Sequence, residues 1–324
     1  EIISLDSYVN SSKKVFKAIQ KICKSKEINK ELIKTFECDV RDTKSVQGIF
    51  EYFKDKNQEI QAVIHFAGLK SVKESKNYPH KYWEVNLGGT LNLLKVMKKF
   101  DCRKIVFSSS ATIYGYPEKL PIVEDSQIKP INPYGKTKAA VEQLLFDIYN
   151  SEPNKWSIIN LRYFNPVGSH YSGLIGENPK GIPNNLFPYI CKVASGEIEN
   201  LKIYGSDWPT KDGTGIRDYI HIEDLAEGHK KALELIFSER KGMYRSINLG
   251  CGHGISVLEM IKTFEKANNC KIKKVFEPRR EGDVAITFAD ISLAKKILQW
   301  TPNKSLYDAC RDGWRWVEVN PHGY

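Results

Sequence analysis

Two rhythms alternate along the first half of the chain. Short apolar runs at 1–6, 33–39, 61–66, 104–109 and 157–163 have the length of strands, and the first two end in Asp6 and Asp39. Between them, residues 11–24, 46–54 and 86–99, and the stretch after Tyr134, repeat apolar positions at helical spacing. Strands alternating with helices of this length imply parallel βαβ units and a doubly wound α/β sheet. In that architecture ligands gather beyond the carboxyl ends of the strands, where Asp6, Asp39, Gly68, Ser110 and Asn165 all fall.

Past Tyr163 the rhythm breaks. Residues 165–218 are rich in Gly, Pro and Asn, and long irregular segments of a folded chain are usually functional. A helix at 223–237 and a strand at 246–249 restore the α/β pattern. The expected division is a dinucleotide-binding region at 1–165 and a smaller, interwoven α+β region at 166–324, with about 216–250 returning to the first. Gly250-Cys251-Gly252-His253-Gly254 imitates a phosphate-binding loop between that strand and a helix at 257–267. Ile255 stands where the third glycine belongs, so the run is read as a tight strand-to-helix turn.

Composition narrows the classes. With 41% hydrophobic and 27% charged residues over 324 positions, the chain has material for a substantial core. There is no apolar stretch of about 18 residues to span a membrane, and residues 1–10 lack the pattern of a signal peptide. The seven cysteines are scattered without a C-x-x-C, which points to reduced thiols in a cytoplasmic setting and to no metal site. The net charge of +10 comes from lysines spread along the whole chain rather than from a basic stripe. A small anion is therefore the expected partner, not nucleic acid.

The chemistry concentrates at Tyr134-Gly135-Lys136-Thr137-Lys138, preceded by Ser108-Ser109-Ser110-Ala111-Thr112. A tyrosine and a lysine four apart project from one face of a helix. An ammonium held there is expected to depress the phenol pKa and make Tyr134 a proton acceptor, with Ser110 and Thr112 hydrogen-bonding the same substrate oxygen. The alternative is an ordinary pair on a helix surface. A strand ending in Asp6 suits the ribose position of a dinucleotide fold, which normally lies about 20 residues past a glycine fingerprint. Only five residues precede Asp6, so an amino-terminal strand and its glycine loop are expected to be missing.

The ordered set FAGLK, FSSSATIYG, YGKTK, LRYFNPVG, GIPNNLFPY, DGTGIRDYIH and RREGD resembles the UDP-glucose (UDP-galactose) 4-epimerases of the extended short-chain dehydrogenase group. The resemblance covers essentially the whole chain. It implies a Rossmann-like fold, a tightly held NAD, and transient oxidation of the sugar at C4, with Tyr134, Lys138, Ser110 and Thr112 as the catalytic set. It places Asp6, Ser7, Tyr8, Val9, Asn10 and Ser11 at the adenosine ribose and Asp39 and Val40 at the adenine. Phe66, Ala67, Gly68, Leu69, Lys70, Asn86, Tyr163 and Phe164 would complete the cofactor contacts.

For the UDP-sugar the resemblance implies Asn165, Asn185, Leu186, Lys202, Ile203, Tyr204, Arg217, Tyr219, Arg280, Asp283 and Thr287. Arg280 read alone is equally an ion-pair partner of Glu281 or Asp283. A homodimer is also implied, built on the helices that carry Asn86 and Tyr134. Thr287, where a tyrosine would confine the pocket, implies turnover of N-acetylated sugars as well. The rival readings are a sugar-nucleotide 4,6-dehydratase or decarboxylase of the same fold and a non-catalytic sugar-nucleotide sensor. A dehydratase would carry Thr-Asp-Glu where this chain has Ser110-Ala111-Thr112.

Overall fold

Apolar runs flanked by helices form a parallel α/β structure, as the rhythm predicts. The computed structural model describes residues 1–178, 183, 185–280 and 282–324. The chain begins with β1 (Ile2–Asp6), α1 (Lys14–Ser25), β2 (Ile33–Glu37), α2 (Thr43–Lys54) and β3 (Val63–His65). It continues through α3 (Val72–Asn77), α4 (Pro79–Tyr82), a π-helical turn (Trp83–Gly88) and α5 (Gly89–Lys99). Next come β4 (Lys104–Ser110), α6 (Pro133–Ser151), β5 (Ser157–Tyr163), β6 (Asn165–Val167), α7 (Leu186–Ala194), β7 (Leu201–Tyr204), β8 (Ile216–Arg217) and β9 (Tyr219–His221). The remainder is α8 (Ile222–Ser238), β10 (Met243–Leu249), β11 (Ile255–Ser256), α9 (Val257–Asn268), β12 (Lys274–Glu277), β13 (Ile286–Thr287) and α10 (Leu306–Val319).

The central sheet runs β10-β5-β4-β3, all parallel, and β1 pairs with β2 in a separate parallel ladder. Strand β4 shows why its sequence is apolar throughout. Ile105 and Phe107 enter a cluster with Phe50, Phe53, Leu93, Met97 and Trp156, while Val106 enters another with Leu225, Ile236 and Leu249. A strand covered by helices on both faces has no polar side to show. Ile3, Leu5 and Phe36 of the β1–β2 pair pack against the first of these clusters. Register places Ser110 beside Tyr163, and Tyr163 beside Leu249, so three strands end level with one another.

Several boundaries differ from the sequence reading. The helix expected from residue 11 starts at Lys14, because the carboxylate of Asp6 accepts the Tyr8 amide at 2.7 Å and the Ser11 hydroxyl at 2.9 Å, wrapping the chain into a loop. Strand β2 stops at Glu37, two residues short of Asp39. The helix expected from Asn86 is preceded by α3, α4 and the π-turn, with Ser71 capping α3 and Pro79 opening α4. The stretch at 165–218 holds β6, α7, β7 and β8 and is far from structureless. The turn expected at Gly250–Gly254 leads first into β11, antiparallel to β8, and only then into α9. Its amides at Cys251 and Gly252 are bound by the buried carboxylate of Asp218 at 2.6 and 3.1 Å, which leaves no nest for a phosphate there. Residues 181, 182 and 184 of GIPNNLFPY and Glu281 of RREGD lie outside the described residues.

Phe53 is 1% exposed and meets Phe36 and Tyr52 edge-on, with ring centres 5.9 and 5.2 Å away. Phe53→Ala should lower unfolding free energy by about 3–5 kcal/mol in a denaturant titration. A loss under about 1 kcal/mol would show that this corner collapses to fill the space.

Candidate active site

The amino end of α6 is built to lie tight against the end of β4. The side chain of Asn132 accepts the Gly135 amide at 2.8 Å, and Pro133 occupies the first turn, where its missing N–H costs nothing. A Cβ at Gly135 would lie 2.9 Å from the Thr112 carbonyl oxygen, so glycine is what allows the helix to approach. This contact delivers Tyr134 to Ser110. Both are buried, and Lys138, one turn further on, is only 5% exposed.

Lys138 Nζ donates to the Ser108 carbonyl at 2.7 Å and lies 4.9 Å from the centre of the Phe107 ring and 6.0 Å from that of Tyr134. Among the described residues no carboxylate is within ion-pair distance of it. Burial therefore pulls its pKa down to about 8, and the charge of Glu142 opposes that fall. The expected depression of the Tyr134 pKa is not what the structure gives. Burial raises it, and only a hydrogen bond with Ser110 pulls the other way. The physical reason is that the phenol is enclosed while the ammonium is turned to Ser108. Thr112 Oγ1 donates to Ser110 Oγ at 3.0 Å, so these two hydroxyls form a chain toward Tyr134. Tyr163 donates to Ser108 Oγ, and its own pKa is pushed up by burial and by Tyr134.

The expected cofactor residues divide. Asp6 with Ser7, Tyr8, Val9, Asn10 and Ser11 forms the loop beyond β1, with Val9 68% exposed. Gly68 brings backbone close to the lysine: a Cβ there would stand 3.8 Å from Lys138 Nζ. The Asn86 amide is spent on the loop itself, accepting from Leu69 N at 2.7 Å and donating to Leu69 O and Thr137 Oγ1. Phe66 is 58% exposed and rests on His229, with ring centres 4.8 Å apart, and Ala67 beside it is exposed.

The other expected cofactor residues already carry contacts of their own. Asp39 is chelated by Arg41, with Nη2 at 2.7 Å, and that hydrogen bond holds its pKa below the usual range. Val40 packs under Gly89, where a Cβ would come within 2.6 Å of it. Lys70 is paired with Glu177 at 2.9 Å, and Phe164 is buried among Ile113, Tyr114 and Ile122.

The expected substrate residues also divide. Arg280 stacks on Tyr204 with its guanidinium 3.7 Å from the ring centre, the alternative to an ion pair with Asp283. Thr287 pairs with Arg217 in register, and Asn165 with Tyr219. Arg217 Nη1 donates to the Ile216 carbonyl at 2.8 Å, and Tyr219 is buried with its pKa raised to about 12. Asn185 and Leu186 open α7, with no side-chain cap from Asn185. Lys202 is ion-paired with Glu277 at 2.9 Å, and Ile203 is buried in the cluster of Ile190 and Phe264.

A buried ammonium with donors to spare, beside a phenol and a hydroxyl chain at the carboxyl ends of parallel strands, fits the ribose of a nicotinamide nucleotide. The family described as GDP-mannose 4,6 dehydratase matches residues 4–313. The UDP-glucose 4-epimerase of Bacillus subtilis is 48% identical over all of this chain and 91% of its own. The chain belongs to the UDP-glucose 4-epimerase family. A crystal structure of the Bifidobacterium longum UDP-glucose 4-epimerase, in complex with NAD+ and UDP, is 45% identical with a TM-score of 0.91, covering 100% of this chain and 92% of that one. The Stenotrophomonas maltophila enzyme, with bound NAD and formylated UDP-arabinopyranose, is 40% identical with a TM-score of 0.92 over 98% and 91%. These relatives align to the whole of this chain and to 91–92% of their own length.

Sequence reasoning missed Glu142 and Arg162, a buried ion pair at 2.6 Å, although Glu142 continues the four-residue spacing of Tyr134 and Lys138. It also missed Asp218, whose three amide contacts join distant segments that no local pattern links.

Because the folded pKa of Lys138 lies near 8 and the unfolded value is 10.5, the unfolded chain binds the extra proton between those limits. Stability from this group thus rises with pH across that window. Lys138→Met should be more stable than wild type at pH 7, by on the order of 2 kcal/mol, with the advantage shrinking toward pH 10.5. A variant less stable than wild type at pH 7 would show that the Ser108 bond outweighs burial.

Proposed function

We propose that the protein interconverts UDP-glucose and UDP-galactose, with NAD as a resident cofactor. The observation that carries this reading is the enclosed set of Tyr134, Lys138 and Ser110 at the level ends of β4 and β5. NAD, when bound, supplies a reversible two-electron oxidation at C4 of the sugar. Tyr134 takes the proton of the C4 hydroxyl and later returns it, and Ser110, held by Thr112, orients the same oxygen. Lys138 has donors left after Ser108 and directs them to the cofactor ribose.

Asp6 and the loop after it serve the adenosine end, which the Asp6–Ser11 bond keeps in shape. Arg217 and Arg280 are the cations for the diphosphate, a role suited to fixed guanidinium geometry. Release of a 4-keto sugar would strand the cofactor in its reduced form, so the pocket must retain the intermediate while it turns over. The protein works in the cytoplasm as a homodimer formed through α5 and α6, which expose Leu91 and Phe146. The 4,6-dehydratase reading fails for want of an acid–base pair after Ser110.

Tyr134→Phe should lower the interconversion rate about 10²-fold or more while leaving UDP affinity by calorimetry nearly unchanged. Parallel loss of binding and rate would make Tyr134 structural.

Thr287, half-buried on β13 beside Arg217, is proposed to leave room for a 2-acetamido group. Wild type should then turn over UDP-N-acetylglucosamine. Thr287→Tyr should reduce kcat/KM for the acetylated pair about tenfold or more relative to the plain pair, the scale of an overpacked wall. An unchanged ratio would mean that access is decided elsewhere.

A further inference from the structure

One helical turn beyond Lys138, the same face of α6 carries Glu142, 3% exposed. Its carboxylate accepts from Arg162 Nη2 at 2.6 Å and from Arg162 Nε at 3.0 and 3.2 Å, and Ser109 Oγ donates to it as well. Arg162 is itself held, donating to Tyr114 Oη at 3.0 Å and to the Glu124 carbonyl at 2.7 Å, and Tyr114 donates to Asn248 at 2.7 Å. Ser109 and Arg162 are register partners on β4 and β5. Glu142 therefore grips two adjacent strands at once, directly behind the residue whose ammonium reaches the Ser108 carbonyl.

We infer that Glu142 is a positioning residue for the Tyr134–Lys138 pair: clamped by Arg162 and Ser109, it fixes the seat of α6 on the sheet and faces the lysine with a carboxylate. A merely structural clamp could be neutral, since well-packed apolar side chains replace a buried ion pair without loss in many proteins. What an apolar clamp lacks is the field. Lys138 is faced by Tyr134 and Glu142 on α6, by His65 on β3 and by the Phe107 ring on β4. His65 is kept neutral by burial and by Lys138, with its pKa down at about 3, so it adds no charge. Glu142 in turn is faced by Arg162 on β5, Tyr114 beyond β4 and Tyr244 on β10. Its carboxylate supports the protonated lysine, and removing it lets burial pull the lysine further down.

The catalytic consequence rests on the epimerase reading, whereas the charge coupling does not, and the experiment separates them. The full chain is labelled with [13Cε]lysine, and the Lys138 signal is assigned by its loss in Lys138→Met. Its titration is followed by NMR in wild type, in Glu142→Gln, and in the double variant Glu142→Leu with Arg162→Met. The Lys138 midpoint should fall by about one pH unit in Glu142→Gln. It should stay lowered in the double variant even where that variant recovers the wild-type Tm. The alkaline limb of kcat for UDP-galactose should move the same way, with KM within about twofold of wild type. Should Glu142→Gln not fold, the double variant carries the test alone. An unmoved midpoint and limb, with Tm alone reduced, would overturn the inference and leave Glu142 a structural clamp. A lowered midpoint in a protein that does not epimerise UDP-galactose would uphold the coupling and sink the epimerase reading.

Discussion

Taking an ammonium out of water costs free energy unless hydrogen bonds and opposite charge replace the hydration, and the site is arranged around that cost at Lys138. The lysine receives one backbone carbonyl, one aromatic face and a carboxylate a turn away. These hold it charged near neutrality and keep it short of full satisfaction. The unused donors are its chemical value, because in the proposed function they meet the hydroxyls of a bound nucleotide. An ion pair at Lys138 itself would stabilise the empty protein and consume those donors. The carboxylate is instead committed to Arg162 and reaches the lysine through its field alone.

From that constraint the neighbouring geometry follows. The lysine must sit level with Ser108, so α6 must press on β4, which only glycine at 135 permits. The loop after β3 must approach without closing the site, and Asn86 ties Leu69 to Thr137 to set that distance. Gly68 keeps the space above the ammonium free of a side chain. Behind the helix, Glu142 and Arg162 join α6 to β4 and β5, so register, helix seat and charge are set by one buried cluster.

The parallel α/β plan was legible in the sequence because strands buried on both faces leave unbroken apolar runs, as at 104–109 and 157–163. Tyr134 and Lys138 were legible because four-residue spacing on a helix is a local fact. What escaped depends on partners far away in the chain. Nothing near Lys70 announces Glu177, and nothing near Lys202 announces Glu277. Asp39 differs, since its partner Arg41 stands only two residues away in the chain. The phenol pKa was misjudged because spacing reports proximity, whereas burial decides which proton state is cheaper.

The central claim is that this enclosed site oxidises and restores one carbon of a sugar nucleotide without letting the intermediate go. UDP-galactose carrying deuterium at C4, incubated with the full chain and NAD and followed by proton NMR, tests it most directly. The account predicts UDP-glucose that retains the deuterium at C4. Absence of inversion, or inversion with solvent hydrogen at C4, would contradict it.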